Sequence, residues 1–238
     1  MKRYIIFALF AGITLSACEV DHRKNLTTNA WPLENGNLWV YGGVCNGRQE
    51  RSATIVVRFI ERGAMRLYIL KGFPDDLLEG VDWEPSEWGI IQVGHNRYYR
   101  IAENRVDSVE NRLSNPADAL IGLVQESELM LQLPLEAGFA FGETFQLTRP
   151  DSMYAWYVTE KTNFDPTPLK IMEFKTPVEQ FTLRYATVPD ETLIDFVPGI
   201  GITRYRYKHN GTPDNVDLKL TTVRFAGTNG TKPFAAAP

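Results

Sequence analysis

Short segments of alternating polar and apolar residues, separated by glycine, proline and asparagine, run through most of the chain and limit its fold more than any other feature. A period of two places side chains on opposite faces of a strand, and the separating residues favour tight turns. Residues 51–60 and 65–73 are predicted to form one hairpin. Residues 88–93 and 97–101 are predicted to form a second one around Gly94-His95-Asn96, because glycine and asparagine tolerate a positive φ.

The alternation stops between residues 103 and 129, where apolar residues recur at helical spacing. One or two helices are therefore expected there. The pair Asn115-Pro116 is typical of a helix start, since asparagine caps free backbone N–H groups and proline fits the first helical position. The segment 115–128 is accordingly predicted to be a helix.

Strands are predicted again beyond this point, at 129–133, 143–147, 153–159, 169–174, 181–188, 203–207 and 216–225. The predicted fold is all-β, a curved antiparallel sheet in the form of an open barrel or half-barrel, with one or two inserted helices. No repeat or change of composition divides it, so residues 31–226 are expected to form a single domain. Residues 227–238, rich in Gly, Thr, Asn and Ala, are expected to form a disordered tail.

The N-terminus has the composition of a secretory signal. Lys2 and Arg3 precede an apolar run over residues 4–15, which is shorter than the roughly 20 residues that span a bilayer. The run ends in Leu-Ser-Ala-Cys at 15–18, which resembles the lipobox of bacterial lipoproteins. The resemblance implies a signal peptide at 1–17 and a lipid-modified Cys18, which would attach the protein to a membrane.

Residues 18–30 are polar and aperiodic and are expected to form a flexible tether behind that lipid. By the rule of the lipoprotein family, Glu19 after the cysteine favours an outer membrane in a Gram-negative cell, with the protein facing the periplasm.

Two further segments resemble motifs of uncharacterised bacterial lipoproteins and secreted β domains. Residues 133–138, Leu-Pro-Leu-Glu-Ala-Gly, followed by Phe139 and Phe141, resemble their LPLKVG motif. Residues 196–202 resemble their PGVG motif, which leads into a C-terminal hairpin. The resemblance implies a curved antiparallel sheet and no catalytic chemistry.

The second motif has a structural explanation of its own. Pro198 and Gly199 suit the two central positions of a type II turn, the second of which needs a positive φ. Gly201 suits a bulge or a close approach of two backbones.

The composition excludes several classes of partner. A net charge of −4 is unsuited to nucleic acid, and three His and two Cys leave little for a metal site, so no metal or cofactor is expected. Cys45 is predicted to be a buried apolar residue, with a reactive thiol as the alternative.

Few residues suggest a functional site. Trp83 and Trp88 lie among acidic residues in a predicted loop, where they either fold back over the sheet edge or barrel mouth or form a patch that binds a partner or stacks on carbohydrate. His95 and His209 lie in predicted turns and are expected to be solvated rather than catalytic.

Two polar runs near the C-terminus have similar alternatives. Residues 214–217, Asp-Asn-Val-Asp, are expected to form a solvated turn rather than a calcium loop. Residues 204–208 alternate basic and aromatic side chains, which on a strand would place the aromatic residues inside and the charges outside.

The sequence thus predicts a non-enzymatic, lipid-anchored protein of the cell envelope that binds an apolar small molecule or an envelope protein on the concave face of its sheet. The alternatives are a structural subunit of an envelope assembly and a hydrolase-like enzyme with an unrecognised site. The inner face distinguishes these: a carrier needs an apolar pocket of about 300 to 1,000 Å³, and a scaffold needs a filled core.

Overall fold

The computed structural model describes residues 29–73, 87–120, 122–125, 127–171, 177–211 and 215–226. The predicted signal peptide, Cys18, Trp83 and the predicted tail lie outside these ranges, as do most of the tether and part of the strand predicted at 169–174.

The described residues form a single antiparallel sheet with three short helical segments. The strands are Leu38–Cys45 (β1), Arg48–Arg62 (β2), Met65–Gly72 (β3), Glu87–Val93 (β4), Arg97–Ile101 (β5), Glu128–Gln132 (β6), Ala140–Phe141 (β7), Trp156–Phe164 (β8), Val178–Ala186 (β9), Asp190–Val197 (β10), Gly201–His209 (β11) and Asn215–Arg224 (β12). The helices are Glu103–Ser114 (α1), Thr144–Leu147 (α2) and a 3₁₀ turn, Thr167–Leu169 (η1).

The sheet consists of two meanders joined by its first and last strands. Its order is β6-β5-β4-β3-β2-β1-β12-β11-β10-β9-β8-β7, with β1 paired to both β2 and β12. The two edge strands, β6 and β7, contact each other. The sheet is therefore nearly closed and barrel-like, and the prediction of a curved all-β sheet is confirmed.

Residues 29–37, which we call the N-terminal plug, place Ala30, Trp31 and Leu33 in the interior of this sheet. Trp31 lies with its ring 6.0 Å from that of Tyr98 and 5.7 Å from that of Phe196. The backbone N–H of Gly199 donates to the carbonyl of Ala30 at 2.8 Å. Ala30, which the sequence assigned to the tether, is thus buried in the folded domain.

Helix α1 packs on the outer face of the sheet, not over its concave side. Val106, Val109 and Leu113 of this helix contact a cluster that includes Leu67 and Ile69 of β3. The intervening Tyr68 belongs to the interior cluster, so β3 is buried on both faces. A strand segment covered on both sides is apolar, which fits the buried run Leu67–Leu70 between Arg66 and Lys71 of β3.

The prediction of a helix at 115–128 is wrong, because α1 ends at Ser114 and the described residues after it form turns. The guanidinium of Arg62 donates to the carbonyls of Pro116 at 2.9 Å and Asp118 at 2.7 Å, which a continuing helix would need for its own N–H groups. Gly122 has a φ of 81°, outside the helical region.

The apolar spacing that predicted this helix comes from the turns themselves. The N–H of Leu123 donates to the carbonyl of Leu120 at 3.3 Å, and both side chains pack on the cluster beneath α1. Consecutive turns can therefore bury residues three apart without forming a helix.

Other predictions need smaller corrections. The strand predicted at 143–147 is the short helix α2, whose start is held by a capping box in which the N–H of Glu143 donates to Oε1 of Gln146 at 2.8 Å. The strand predicted to begin at residue 169 does not begin there, because Leu169 is the last residue of η1. The backbone at Lys170 is left-handed, with φ 56°. Strands β1, β7 and β10 were not predicted. Cys45 is half-buried at the end of β1, where full burial was expected.

Candidate functional site

The interior of the barrel is filled by aromatic side chains. In the described part of the chain, the cavity among Trp31, Trp39, Tyr41, Phe73 and neighbouring side chains is about 10 Å³. That is about the size of one water molecule. This cavity is therefore far below the size that an apolar ligand would need.

Two of these aromatic residues bond their polar tips to backbone carbonyls. The indole N–H of Trp39 donates to the carbonyl of Ile200 at 2.6 Å, and the hydroxyl of Tyr41 donates to the carbonyl of Ile202 at 3.1 Å. Burial raises the pKa of Tyr41 far above its usual value, so this hydroxyl stays protonated. These two polar tips are therefore satisfied inside the packed core, whereas the buried indole nitrogen of Trp156 has no hydrogen-bond partner among the described residues.

A cavity of about 420 Å³ lies at one end of the barrel, which we call the rim pocket. The turns between β2 and β3 and between β4 and β5 form it together with the plug. Its lining is mostly polar or small: Asn29, Leu33, Glu34, Glu61, Gly63, Ala64, Met65, Arg66, Tyr68, Gln92, Gly94 and His95.

A chain of hydrogen bonds crosses the floor of the rim pocket from β3 to β5. Arg66 donates to the hydroxyl of Tyr68 at 3.2 Å, and that hydroxyl donates to Oε1 of Gln92 at 2.9 Å. The amide of Gln92 in turn donates to the hydroxyl of Tyr98 at 3.3 Å. Arg66 is also paired with Glu61, Nε to Oε2 at 2.7 Å. These contacts fix the orientation of the polar groups before any ligand arrives.

The protonation states in this floor are stable near neutral pH. Burial raises the pKa of Tyr68, although its hydrogen bond with Arg66 opposes the effect, and burial raises the pKa of Tyr98 to about 12. The hydrogen bond with Tyr68 and the ion pair with Glu61 raise the pKa of Arg66. Both hydroxyls are therefore protonated near pH 7.

Of the two tryptophans that the sequence suggests as binding candidates, Trp88 has a structural position in the fold. Trp88 is 1% exposed and its indole N–H donates to the carbonyl of Gly72 at 2.9 Å. Trp88 thus lies in strand β4 rather than in a loop, and its ring is buried in the core and offers no stacking surface to solvent. Trp83 lies outside the described residues.

The turn predicted at Pro198 and Gly199 is present. The N–H of Ile200 donates to the carbonyl of Val197 at 2.9 Å, and Gly199 has a φ of 85°. Gly201 has a φ of 102°, and a Cβ there would lie 3.0 Å from Nε1 of Trp31. The close approach at Gly201 is thus to the indole rings of Trp31 and Trp39 rather than to a second backbone, and the bulge between β10 and β11 lies at Thr203, two residues further along.

The two histidines differ. His95 lines the rim pocket. His209 has a specific partner, with its Nδ1 2.7 Å from Oδ1 of Asp190, which also accepts from the hydroxyl of Tyr207 at 2.6 Å. The hydroxyl and the histidine together lower the pKa of Asp190. The sequence missed this pair because β10, which carries the aspartate, was not predicted.

The two polar runs near the C-terminus lie on β11 and β12, and Asp214 of the second lies outside the described residues. Asp217 receives a two-fold hydrogen bond from Arg204, at 2.8 and 2.6 Å. The described residues contain no group of three His, Cys, Asp or Glu side chains placed to hold a metal ion. As predicted, Tyr205 points into the core and Arg204 lies on the outer face.

Sequence comparisons place the chain in no known family. No family model matches it, and no curated protein matches it. No helix among the described residues is both long and apolar enough to cross a membrane.

Two solved structures are similar to the chain. One, from Bacteroides fragilis, is described as a "putative exported protein with YmcC-like fold", with 9% identity and a TM-score of 0.43 over 81% of this chain and 97% of that one. The other, from Parabacteroides distasonis, is described as a "putative lipoprotein", with 10% identity and a TM-score of 0.39 over 82% of this chain and 97% of that one. Similarity at this level carries no conclusion about what the present chain does.

Proposed function

We propose that this chain is a lipid-anchored protein of the bacterial cell envelope that acts by binding a protein partner, with the rim pocket as the contact site. The observation that carries the proposal is the contrast between the two cavities. The rim pocket measures about 420 Å³ and has a polar floor, whereas the interior cavity measures about 10 Å³. A polar partner group has room at the rim, and an apolar ligand lacks room in the described interior.

The position of the rim pocket relative to the proposed anchor supports a partner close to the membrane. Asn29 lines the pocket, and ten residues separate it from Cys18. A fully extended chain of that length spans at most about 40 Å. The proposed lipid at Cys18 would thus hold the rim pocket within about 40 Å of the membrane surface, which by the lipoprotein rule is the outer membrane facing the periplasm.

The lining of the rim pocket favours a segment of another protein over a small apolar molecule. Arg66 and Gln92 are held in place by their own hydrogen bonds, while Glu34 and His95 lie exposed at its edge. Such groups match backbone amides and polar side chains of a partner loop. The proposal is one of binding and assigns no catalytic residue.

A photocrosslinking experiment in cells tests the rim pocket. A benzoylphenylalanine at His95 is expected to give an adduct of one defined mass. Val188, 69% exposed in the β9–β10 turn at the other end of the barrel, is the matched control position and should not give that adduct. Ala64→Trp, which fills the pocket from the β2–β3 turn, should remove the adduct. An adduct that persists in Ala64→Trp, or that forms equally from Val188, contradicts the proposal.

The anchor is tested separately. Cys18→Ser is expected to lose incorporation of labelled fatty acid and to leave the detergent phase, because the lipobox cysteine supplies the modified thiol. Full retention of label in Cys18→Ser would place the anchor elsewhere.

The filled interior also favours a second candidate, a structural subunit of an envelope assembly. A nearly closed sheet with a packed core is a stiff body suited to that role. In that case several faces would touch neighbours, and crosslinks would form from both ends of the barrel.

A further inference from the structure

A second cavity, of about 260 Å³, lies on the outer face of strands β9 to β12, and we call it the outer crevice. The 3₁₀ turn η1 contacts β12 and forms its cover. Its lining residues are Phe164, Asp165, Pro168, Leu169, Gln180, Asp195, Thr203, Arg204, Lys219 and Leu220. None of these lines the rim pocket.

A buried carboxylate lies at the base of the outer crevice. Asp195 is 6% exposed and faces outward, because its neighbours Ile194 and Phe196 belong to the interior cluster. Its Oδ1 accepts from the hydroxyl of Thr182 at 2.9 Å and from Arg206 at 2.7 Å. A buried charge is costly unless it is paired and hydrogen-bonded, so these partners hold the carboxylate in a fixed place.

A bulge arranges the next polar groups beside this carboxylate. The register of β10 against β11 shifts after Asp195, and Thr203 is the extra residue. The hydroxyl of Thr203 lies 3.0 Å from Oε1 of Gln180 and 3.1 Å from the carbonyl oxygen of Asp195. Hydroxyl, amide and carboxylate groups from three strands therefore meet at one point of the crevice.

The charges that line the crevice balance. Asp165 and Asp195 are opposed by Arg204 and Lys219. Arg204 is already held by Asp217, whose pKa it lowers. A charged ligand would be attracted by the two carboxylates or by the two basic groups and repelled by the others, so a neutral ligand fits best.

We propose that the outer crevice binds one neutral sugar unit. Each hydroxyl of a sugar both donates and accepts hydrogen bonds, and the crevice offers acceptors at Asp195 and Gln180 and donors at Arg204 and Lys219. Phe164 and Leu169 supply an apolar wall for the C–H face of the ring. This site is independent of the rim pocket and of the partner proposed there.

Saturation-transfer-difference NMR on the full lipidated chain in phospholipid nanodiscs tests the proposal, with empty nanodiscs as the blank. The neutral probes are glucose, galactose, mannose and N-acetylglucosamine, and the charged probes are glucuronate and glucosamine. At least one neutral sugar is expected to receive saturation on its ring protons, and each charged analogue is expected to bind at least tenfold more weakly.

Two variants locate the binding. Leu169→Trp fills the crevice from its cover without touching the contacts of Asp195, and Gln180→Ala removes one acceptor. Each is expected to weaken binding of the neutral sugar about tenfold. Leu147→Trp, at a 39% exposed leucine of α2, is the matched control and should bind like the wild type.

Three outcomes overturn the proposal: saturation of no neutral sugar, saturation of charged sugars alone, or equal binding by Leu169→Trp and Leu147→Trp. Circular dichroism spectra that match the wild type establish that each variant is folded.

Discussion

Replacing Trp31 by alanine tests whether the N-terminal plug is part of the folded core. The side chain is 6% exposed and its ring contacts those of Tyr98 and Phe196. Truncating a buried tryptophan costs about 3 to 5 kcal/mol, of which each aromatic pair contributes about 0.5 to 1.5 kcal/mol. The indole of Trp31 packs against the backbone of Gly201, which is held by the β10–β11 turn and cannot move to fill the cavity that the substitution leaves. We therefore expect Trp31→Ala to lower the free energy of unfolding by about 4 kcal/mol.

Equilibrium urea unfolding followed by circular dichroism measures this change. With a slope of about 2 kcal/mol per molar urea, the midpoint should fall by about 2 M. Phe145→Ala is the control, because that side chain is 69% exposed and its loss should change stability by less than about 0.5 kcal/mol. A loss below about 1 kcal/mol in Trp31→Ala would refute the conclusion that the plug completes the core.

Three further changes give distinct results. Gly199→Val should lower stability by about 1 to 3 kcal/mol in thermal unfolding, because φ is 85° there, and an unchanged melting temperature would contradict the turn. Arg62→Met removes a guanidinium that donates to four carbonyls, those of Arg112, Asn115, Pro116 and Asp118, so hydrogen exchange of residues 115–125 should quicken while that of β1 stays as in the wild type. Asp190 has a pKa below its usual 3.8 in the folded state, so the unfolded chain binds the proton more tightly and the wild type should lose stability as the pH falls through the folded pKa. Asp190→Asn should flatten that loss, and an identical acid profile for the two proteins would contradict it.

The hairpins were predictable because their signals are local. Gly63 and Gly94 both have positive φ in the turns where the sequence predicts them, with φ of 61° and 60°. The strands on either side carry their own alternation, so turn and strand agree without help from the rest of the chain.

The absence of a helix after α1 could not be predicted, because the group that competes for the helix carbonyls is remote in sequence. Asn115 and Pro116 are a sound helix start, and Asn115 Oδ1 does accept the N–H of Ala117 at 3.1 Å. The carbonyls beyond are taken by Arg62, more than fifty residues earlier in the chain. No window around residue 115 contains that information.

The candidate sites were hidden for a related reason. Gln92 interrupts the apolar run of β4 after Ile91, and this was the one local signal of the rim pocket. The outer crevice depends on Asp195, whose strand β10 was not predicted, and on a bulge that only the pairing with β11 defines. Sites assembled across several strands have no motif in sequence.

The pairing of β1 with β12, the first and last strands, has a consequence for chains that are incompletely synthesised or truncated. The completed sheet ends in β6 and β7, which have five and two residues, so few backbone groups are left unpaired at its edges. Until Asn215–Arg224 arrives, however, the eight residues of β1 are an open edge next to the fifteen-residue β2. A chain truncated before β12 therefore exposes two long edges, on β1 and β11, which can recruit strands from other copies and aggregate.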